Sequence, residues 1–407
     1  MDQDRLTPGT RRRWAILLLL FLATVINFID RQTLSILAPT LRRELTLSEI
    51  DYANVVTAFL AAYTVMYTVS GWLIDRFGAR AGLAVCVGWW SAATMLTARV
   101  WSAASLAGCR FLLGVGEPGI FPGGVKVCGE WFIGRQRALA IGFFSSGSAI
   151  GALIAPPLIA WIALSYNWRM AFLIPGLVGL IWLPCWLLVY RTPGGSGQSL
   201  ARQEGSRWHL CRDRRVWALA LPRMLSDPVW YLYLFWLPDY LQRERGLSLR
   251  EIGLYGWIPF LFADLGALGG GALSDLLVRR GVTAPRARIL VLSGVACLAP
   301  FGALVGFVGS TGAAIAITCL IAFLTQCWAT NTSALATDTF ENREVATVAG
   351  LMGTAGSLGG VLFTQLLGRA IAAFGYGSAF VIGALMHPVA ITMLLLLRGG
   401  VVRRRKN

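Results

Sequence analysis

Four ionisable residues interrupt two of the most apolar stretches of the chain. Asp30 and Arg31 stand side by side in the run 14–38, and Arg110 and Glu117 stand in the run 102–128. The second two are seven residues apart, nearly two helical turns, so on a helix their side chains share a face. A charge at the centre of a bilayer costs about 2.5–3.5 kcal/mol even on the gentlest scale, so each needs a partner or a task. Two acids and two guanidiniums balance in sign, as one network would. That network is either a static cluster fixing helix packing or a working site facing a cavity. Buried ion pairs stabilise weakly beside apolar packing, which favours the working site. Glu117, beside Pro118 and among apolar neighbours, is the best proton carrier. Desolvation favours its acid form and a nearby guanidinium its ionised form. Asp30 is the second proton-carrier candidate. Arg31 and Arg110 do not titrate, and the planar fork of guanidinium suits a carboxylate. Arg31 and Arg110 are both candidates to grip an anionic substrate; Arg31 is favoured for that role and Arg110 for pairing Glu117, with the reverse assignment open.

Other polar residues fall in apolar runs. Arg223 and Asp227, four apart, are expected to pair along one helix. Trp230, Tyr231, Tyr233 and Trp236 supply aromatic faces for a hydroxylated ring; Trp230 and Tyr231 lie too deep for an interfacial aromatic belt. Gln326 and Asn331 carry amides that either read hydroxyls or join helices. Asp264, followed by Gly266, Gly269, Gly270 and Gly271, is either a gating element or a further polar site residue. Lys126 sits near a span end, where it can snorkel, and receives no site role.

The elements that must position these residues are transmembrane helices. The 407 residues are 56% apolar and only 14% charged, against about a quarter charged in soluble domains. Apolar runs near 14–38, 52–74, 82–99, 102–128, 137–161, 170–190, 215–241, 252–276, 288–308, 311–336, 346–369 and 377–398 each reach or approach the roughly 20 residues that cross a bilayer. The fold class is all-α, with twelve transmembrane helices. The net charge of +16 comes from arginines in short loops, so it reads as a topology signal rather than a nucleic-acid surface. Most Lys and Arg residues lie at the N-terminus, after the even-numbered spans and in the tail, which predicts that both termini are cytoplasmic. The eight cysteines include no CxxC pair, and His209 and His387 are far apart, so neither a metal site nor a cofactor is implied. No nucleophile–base motif suggests an enzyme.

The chain also repeats. Gly71-Trp-Leu-Ile-Asp75-Arg76-Phe-Gly78-Ala-Arg80 closes the second span, and Gly271-Ala-Leu-Ser-Asp275-Leu-Leu-Val-Arg279-Arg280 closes the eighth, 200 residues later. The segment 191–214, rich in Gly, Ser and Arg, separates two halves at 1–190 and 215–407. A duplication of this kind places a substrate site between the halves. Asp75, Arg76 and Asp275 are the gating candidates.

The 71–80 segment resembles the signature of the major facilitator superfamily. Asn27-Phe-Ile-Asp30-Arg31-Gln-Thr-Leu-Ser, Arg110-Phe-Leu-Leu-Gly114-Val-Gly116-Glu117-Pro118 and Ser145-Ser-Gly147-Ser148-Ala-Ile-Gly151 resemble its anion:cation symporter family. Asp227-Pro-Val-Trp230-Tyr231 through Pro238-Asp239-Tyr240, and Gln326-Cys-Trp-Ala-Thr-Asn331, are similar to the bacterial hexuronate-transporter branch. The resemblance implies a secondary transporter in the cell inner membrane, carrying a small sugar-acid anion such as glucuronate or galacturonate together with a proton. It supports Asp30 and Glu117 as coupling acids and adds Tyr63 as a hydroxyl for substrate. Ser148 stands where some members carry a larger polar group, so the smaller serine would enlarge the pocket. Another organic anion, exchange instead of symport, and a non-transporting receptor are the alternatives. A monomer is expected, with the lipid bilayer as its surroundings.

The topology has a direct check. A cysteine at Ser199 (Ser199→Cys), in a background lacking Cys211, should resist impermeant thiol reagents applied outside intact cells. Labelling from outside would reverse the orientation.

Overall fold

A computed structural model describes residues 10–132, 135–192, 207–340 and 342–397. Among the described residues the regular structure is entirely helical. The order is α1 (Thr10–Ile36), α2 (Ala38–Glu44), α3 (Glu49–Phe77), α4 (Ala79–Thr97), α5 (Ala103–Gly116), α6 (Ile120–Trp131), α7 (Arg135–Ser165), α8 (Met170–Val189), α9 (Arg214–Arg243), α10 (Leu249–Tyr255), α11 (Ile258–Arg279), α12 (Ala284–Leu298), α13 (Thr311–Thr339), α14 (Asn342–Phe374) and α15 (Tyr376–Leu397). Every expected span overlaps a long helical segment. Most of the expected linker, 193–206, lies outside the described residues.

Eight of these segments are long and apolar enough to cross a membrane unaided, and the bent α3 would make nine. The others fall short for visible reasons. α4 carries Arg80 and two adjacent tryptophans, α9 carries Arg223, Asp227 and Asp239, and the fourth span is broken. The break is a difference from the continuous span expected at 102–128. Glu117–Gly119 forms a 3-10 turn between α5 and α6. Pro118, which lacks an N–H, disrupts the regular helical ladder there. The short α2, with Pro39 in its first turn, was also not anticipated.

The internal repeat extends into the capping chemistry. Ser48 and Asp51 form a reciprocal capping box at the start of α3, and Ser248 and Glu251 form the same box at the start of α10, 200 residues on. Each pair satisfies backbone N–H groups that the first helical turn leaves open. Gly78 turns the chain from α3 into α4 at φ 82°, a conformation that side chains with a Cβ avoid. Small residues draw helices together elsewhere. A Cβ on Gly266 would collide with the backbone of Phe323, and one on Gly270 with the Cys327 sulfur, so α11 lies directly on α13. The glycine-rich stretch after Asp264 therefore forms the expected close helix contact.

Polar links between the segments before and after the linker gather at one face, the one away from the start of α1. There Arg42 on α2 meets Asp239 on α9 at 2.7 Å and Glu49 on α3 at 2.8 Å. Arg243 meets Glu49 at 2.7 Å. Tyr52 donates to the carbonyl of Phe235 at 2.7 Å, and Gln365 donates to Asn54 and Thr57; within the later half the Tyr376 hydroxyl adds a bond to Asp239. Asp239 is fully buried and Arg42 nearly so. Removing one partner of a buried pair costs about 3–5 kcal/mol, because the other charge is left uncompensated. At the opposite face Asp75 bonds to Lys126 and Asp275 to Arg288, each within its own half of the sequence.

Asp239→Asn should therefore loosen the closed face. Spin labels on the exposed residues Glu44 and Phe374, with Cys185 and Cys297 removed, should show a longer-distance population in this variant. An unchanged distance distribution would mean that the face is held by other contacts.

Candidate functional site

The two charged runs meet. Arg31 on α1 points across to the break in the fourth span, where its Nε and Nη2 donate to Glu117 Oε2 at 3.0 and 2.8 Å. Asn27, one turn earlier, ties the two elements together: its Nδ2 donates to the Glu117 carbonyl at 3.3 Å, and its Oδ1 accepts from Arg31 Nη2 at 3.4 Å. The pairing expected between Arg110 and Glu117 is not the one formed. Arg110 instead lies fully buried over the ring of Phe172, with Nη1 donating to the Asp30 carbonyl at 3.4 Å. Glu117 ends Arg110's helix in regular geometry, its N–H bonding to the Leu113 carbonyl. The choice is made by α1, which brings the Arg31 guanidinium to Glu117 and only the Asp30 carbonyl to Arg110.

The network is incompletely satisfied. Both Asp30 oxygens, Glu117 Oε1, and Arg110 Nε and Nη2 are buried without hydrogen-bond partners. Buried polar atoms of native proteins are nearly always paired, so such a cluster marks a place where a ligand, a proton or water completes the bonding. Of the four charged side chains Arg31 is the most open, at 11% exposure against 0% for Glu117. Its guanidinium lies 4.7 Å from the ring of Tyr63, 4.9 Å from Phe28 and 5.5 Å from Phe59, an aromatic cage that suits a weakly hydrated cation.

Tyr63 continues into a lane of aromatic rings. It lies 6.0 Å from Tyr67 and 5.5 Å from Phe59 on the same helix, and Phe59 meets Phe235 on α9 at 6.3 Å. Trp230 and Tyr231 are only partly buried; Trp230 packs edge-on to Phe260, and Tyr231 stacks on Phe235. The other two aromatic candidates are corrected. Tyr233 is buried against Phe380, and Trp236 between Tyr52 and Tyr376, so both are core residues and present no free face. Arg223 and Asp227 pair at 2.9 Å as expected.

Three further expectations are resolved by position. Asn331 joins helices: its Nδ2 donates to the Gly270 carbonyl at 3.1 Å and the Cys327 carbonyl at 2.9 Å, leaving only its buried Oδ1 open. Gln326 is partly buried on the same α13. Asp264 is half-buried on α11 with no hydrogen-bond or ion-pair partner among the described residues. Of the gating candidates, Asp75 and Asp275 are exposed and bonded within their own halves, and Arg76 stacks on Trp72 and Phe77. Lys126, given no role from sequence, holds Asp75 at 2.9 Å. Ser148 bonds to the Ser145 carbonyl at 2.7 Å, and its neighbours Gly147 and Gly151 let α7 approach the α1 backbone.

Asp239 enters the sequence reading only within a family-like segment, without a role, and Arg42 is not singled out there. An acid inside the apolar run Pro238-Asp239-Tyr240 was the available signal; Arg42 looked like one more loop arginine.

This architecture has known relatives. Residues 20–364 match the model of the Major Facilitator Superfamily. The chain belongs to the major facilitator superfamily. It is 33% identical to the hexuronate transporter of Escherichia coli (strain K12) over 391 residues, covering 91% of this chain and 90% of that protein. It is 36% identical to the galacturonate transporter of Dickeya chrysanthemi over 282 residues, covering 65% of this chain and 82% of that one. The crystal structure of a bacterial homologue of the human lysosomal transporter Spinster, inward-facing and unoccupied, superposes with a TM-score of 0.78 at 20% identity, covering 97% of each chain. This facilitator is thus a multi-pass membrane transport protein and not an enzyme.

The site depends on close helix approach at Gly114. A Cβ there would collide with the Phe59 carbonyl and press on Ala62. Gly114→Ala should separate α3 from α5 beside Tyr63, at a cost of about 1–3 kcal/mol, the usual penalty of overpacking. A lowered melting temperature in detergent is the expected readout. An unchanged melting temperature would show that the contact relaxes without cost.

Proposed function

We propose that this facilitator is a symporter of a sugar-acid monoanion, with a hexuronate such as glucuronate or galacturonate as substrate and a proton as the coupling ion. The observation that carries this reading is the Arg31–Glu117 pair. The most open guanidinium of the site is held by a carboxyl group that can be protonated. Asp30, Glu117, Arg31 and Arg110 sum to zero charge, and a substrate carboxylate entering beside them would add an uncompensated negative charge in a poorly solvated place. Protonating one acid restores balance. When Glu117 takes the proton it releases Arg31, and the substrate carboxylate takes its place on the same fork. Asp30, fully buried, is the second proton acceptor, and Arg110 is a fixed countercharge. Trp230, Tyr231, Tyr63 and Gln326 supply faces and polar groups for the hydroxylated ring. The curated relatives named as hexuronate and galacturonate transporters support this choice of substrate.

Transport follows by rocking of the 1–190 and 215–407 halves about this centre. With both termini cytoplasmic, the Arg42–Asp239 face is the external one, and the described conformation is closed outward. Asp75, Arg76 and Asp275 then act at the cytoplasmic face in the alternate conformation.

Because binding of the anion requires a protonated acid, hexuronate affinity should fall as pH rises. Glu117→Gln fixes the neutral form. In proteoliposomes it should exchange labelled glucuronate but lose accumulation driven by a pH gradient, and its binding should lose most of its pH dependence. Accumulation at the wild-type level would move coupling to Asp30. The carboxylate contact is worth about 1.5–3 kcal/mol, so Arg31→Ala should weaken glucuronate binding by about tenfold or more, with Arg31→Lys intermediate. Equal affinity for glucose and glucuronate would rule out the anion site.

A further inference from the structure

A second ion pair stands at the other end of the aromatic lane, and the mechanism above does not use it. Arg223 and Asp227 on α9 pair at 2.9 Å with side chains 23% and 20% exposed, more open than Glu117 or Arg110. Arg223 Nη1 also reaches Ser333 on α13 at 3.4 Å. Tyr231, one turn after Asp227 on α9, stacks on Phe235; Phe235 meets Phe59 at 6.3 Å, and Phe59 lies 5.5 Å from the Arg31 guanidinium. The lane of rings therefore joins Arg31 to the part of α9 that carries Asp227 and Arg223, with one guanidinium contributed by each half. Asp227 is fitted in place. Its carboxylate fills the space at Gly356 on α14 that a Cβ would otherwise occupy, and Tyr231 lies against Gly360 one turn further on.

We infer that Asp227 is a specificity-determining residue: by occupying Arg223 it makes the far end of the site a reader of hydroxyls and excludes a second carboxylate. This rests on the sugar-acid reading above. A six-carbon sugar acid held at Arg31 by its carboxylate carries its opposite end towards Arg223. An ion pair offers that end both donors and acceptors, which suits a hydroxyl or ring oxygen. A dicarboxylate of the same length, an aldarate, would need the Arg223 fork for itself and would set its second carboxylate beside Asp227. Discrimination then comes from repulsion as much as from attraction. No charge is left unbalanced in the resting site, because Arg223 and Asp227 neutralise one another.

The test compares equilibrium binding of glucuronate and galactarate to purified full-length protein in three forms: wild type, Asp227→Asn, and Asp227→Asn combined with Arg223→Gln. Wild type should bind glucuronate at least about tenfold more tightly than galactarate. Asp227→Asn should close or invert that ratio by freeing Arg223, and the double variant should lose the gain. Asp227→Ser serves as a second variant if the asparagine form does not fold, with melting temperature as the check. A wild type that binds both acids equally, or an Asp227→Asn or Asp227→Ser protein that binds glucuronate with the wild-type ratio, would overturn the inference and leave the proposed function standing. Absence of glucuronate binding to wild type would overturn the proposed function and this inference with it.

Discussion

A buried region of low polarizability must stay close to electrically neutral, and in this protein that constraint is met by four side chains from two spans. Asp30, Glu117, Arg31 and Arg110 cancel in sign but do not saturate one another's hydrogen bonds: only Arg31 and Glu117 join side chain to side chain. Isolated, any one of these charges would be prohibitively costly at this depth. Together they form a balanced set, and that balance is what the proposed symport of an anion with a proton rests on.

The scaffold serves this set by bringing helix backbones unusually close. Gly114 lets α5 lie against the α3 backbone next to Tyr63, Gly147 and Gly151 let α7 lie against α1, and Asn27 bonds the Glu117 carbonyl beside Arg31. None of these contacts is strong alone. Their joint effect is to fix two guanidiniums and two carboxylates on rigid elements. The closed face, built on Arg42, Glu49, Asp239 and Arg243, is a separate polar assembly away from the central set. Two neutral clusters at different depths can respond to different events.

Much of this was legible in the sequence. Spans follow from apolar run length, since lipid permits few alternatives to a helix, and the 200-residue repeat appears again in the capping boxes at Ser48 and Ser248. The four central charges stood out because charge in such runs is rare. What was not legible is which charge meets which. Helical periodicity placed Arg110 and Glu117 on one face, but which guanidinium takes the carboxylate depends on how α1 packs against that face, and Arg31 takes it. Asn331 was ambiguous for a related reason: an amide's role depends on whether a neighbouring helix comes within reach, and Gly270 brings α11 there. Tyr233 and Trp236 share a helix with Tyr231, yet a half-turn of rotation puts them in the core. The Arg42–Asp239 pair joins residues 197 positions apart, and no local pattern announces such a contact.

The central claim is that anion and proton are linked through charge balance at Arg31 and Glu117. Calorimetry of glucuronate binding, repeated in buffers of different ionisation enthalpy, measures that linkage without requiring transport. The account predicts that binding takes up a proton at neutral pH and that the uptake is lost or sharply reduced in Glu117→Gln. Glucuronate binding with the same heat in every buffer, and so no proton uptake by wild type, would contradict it.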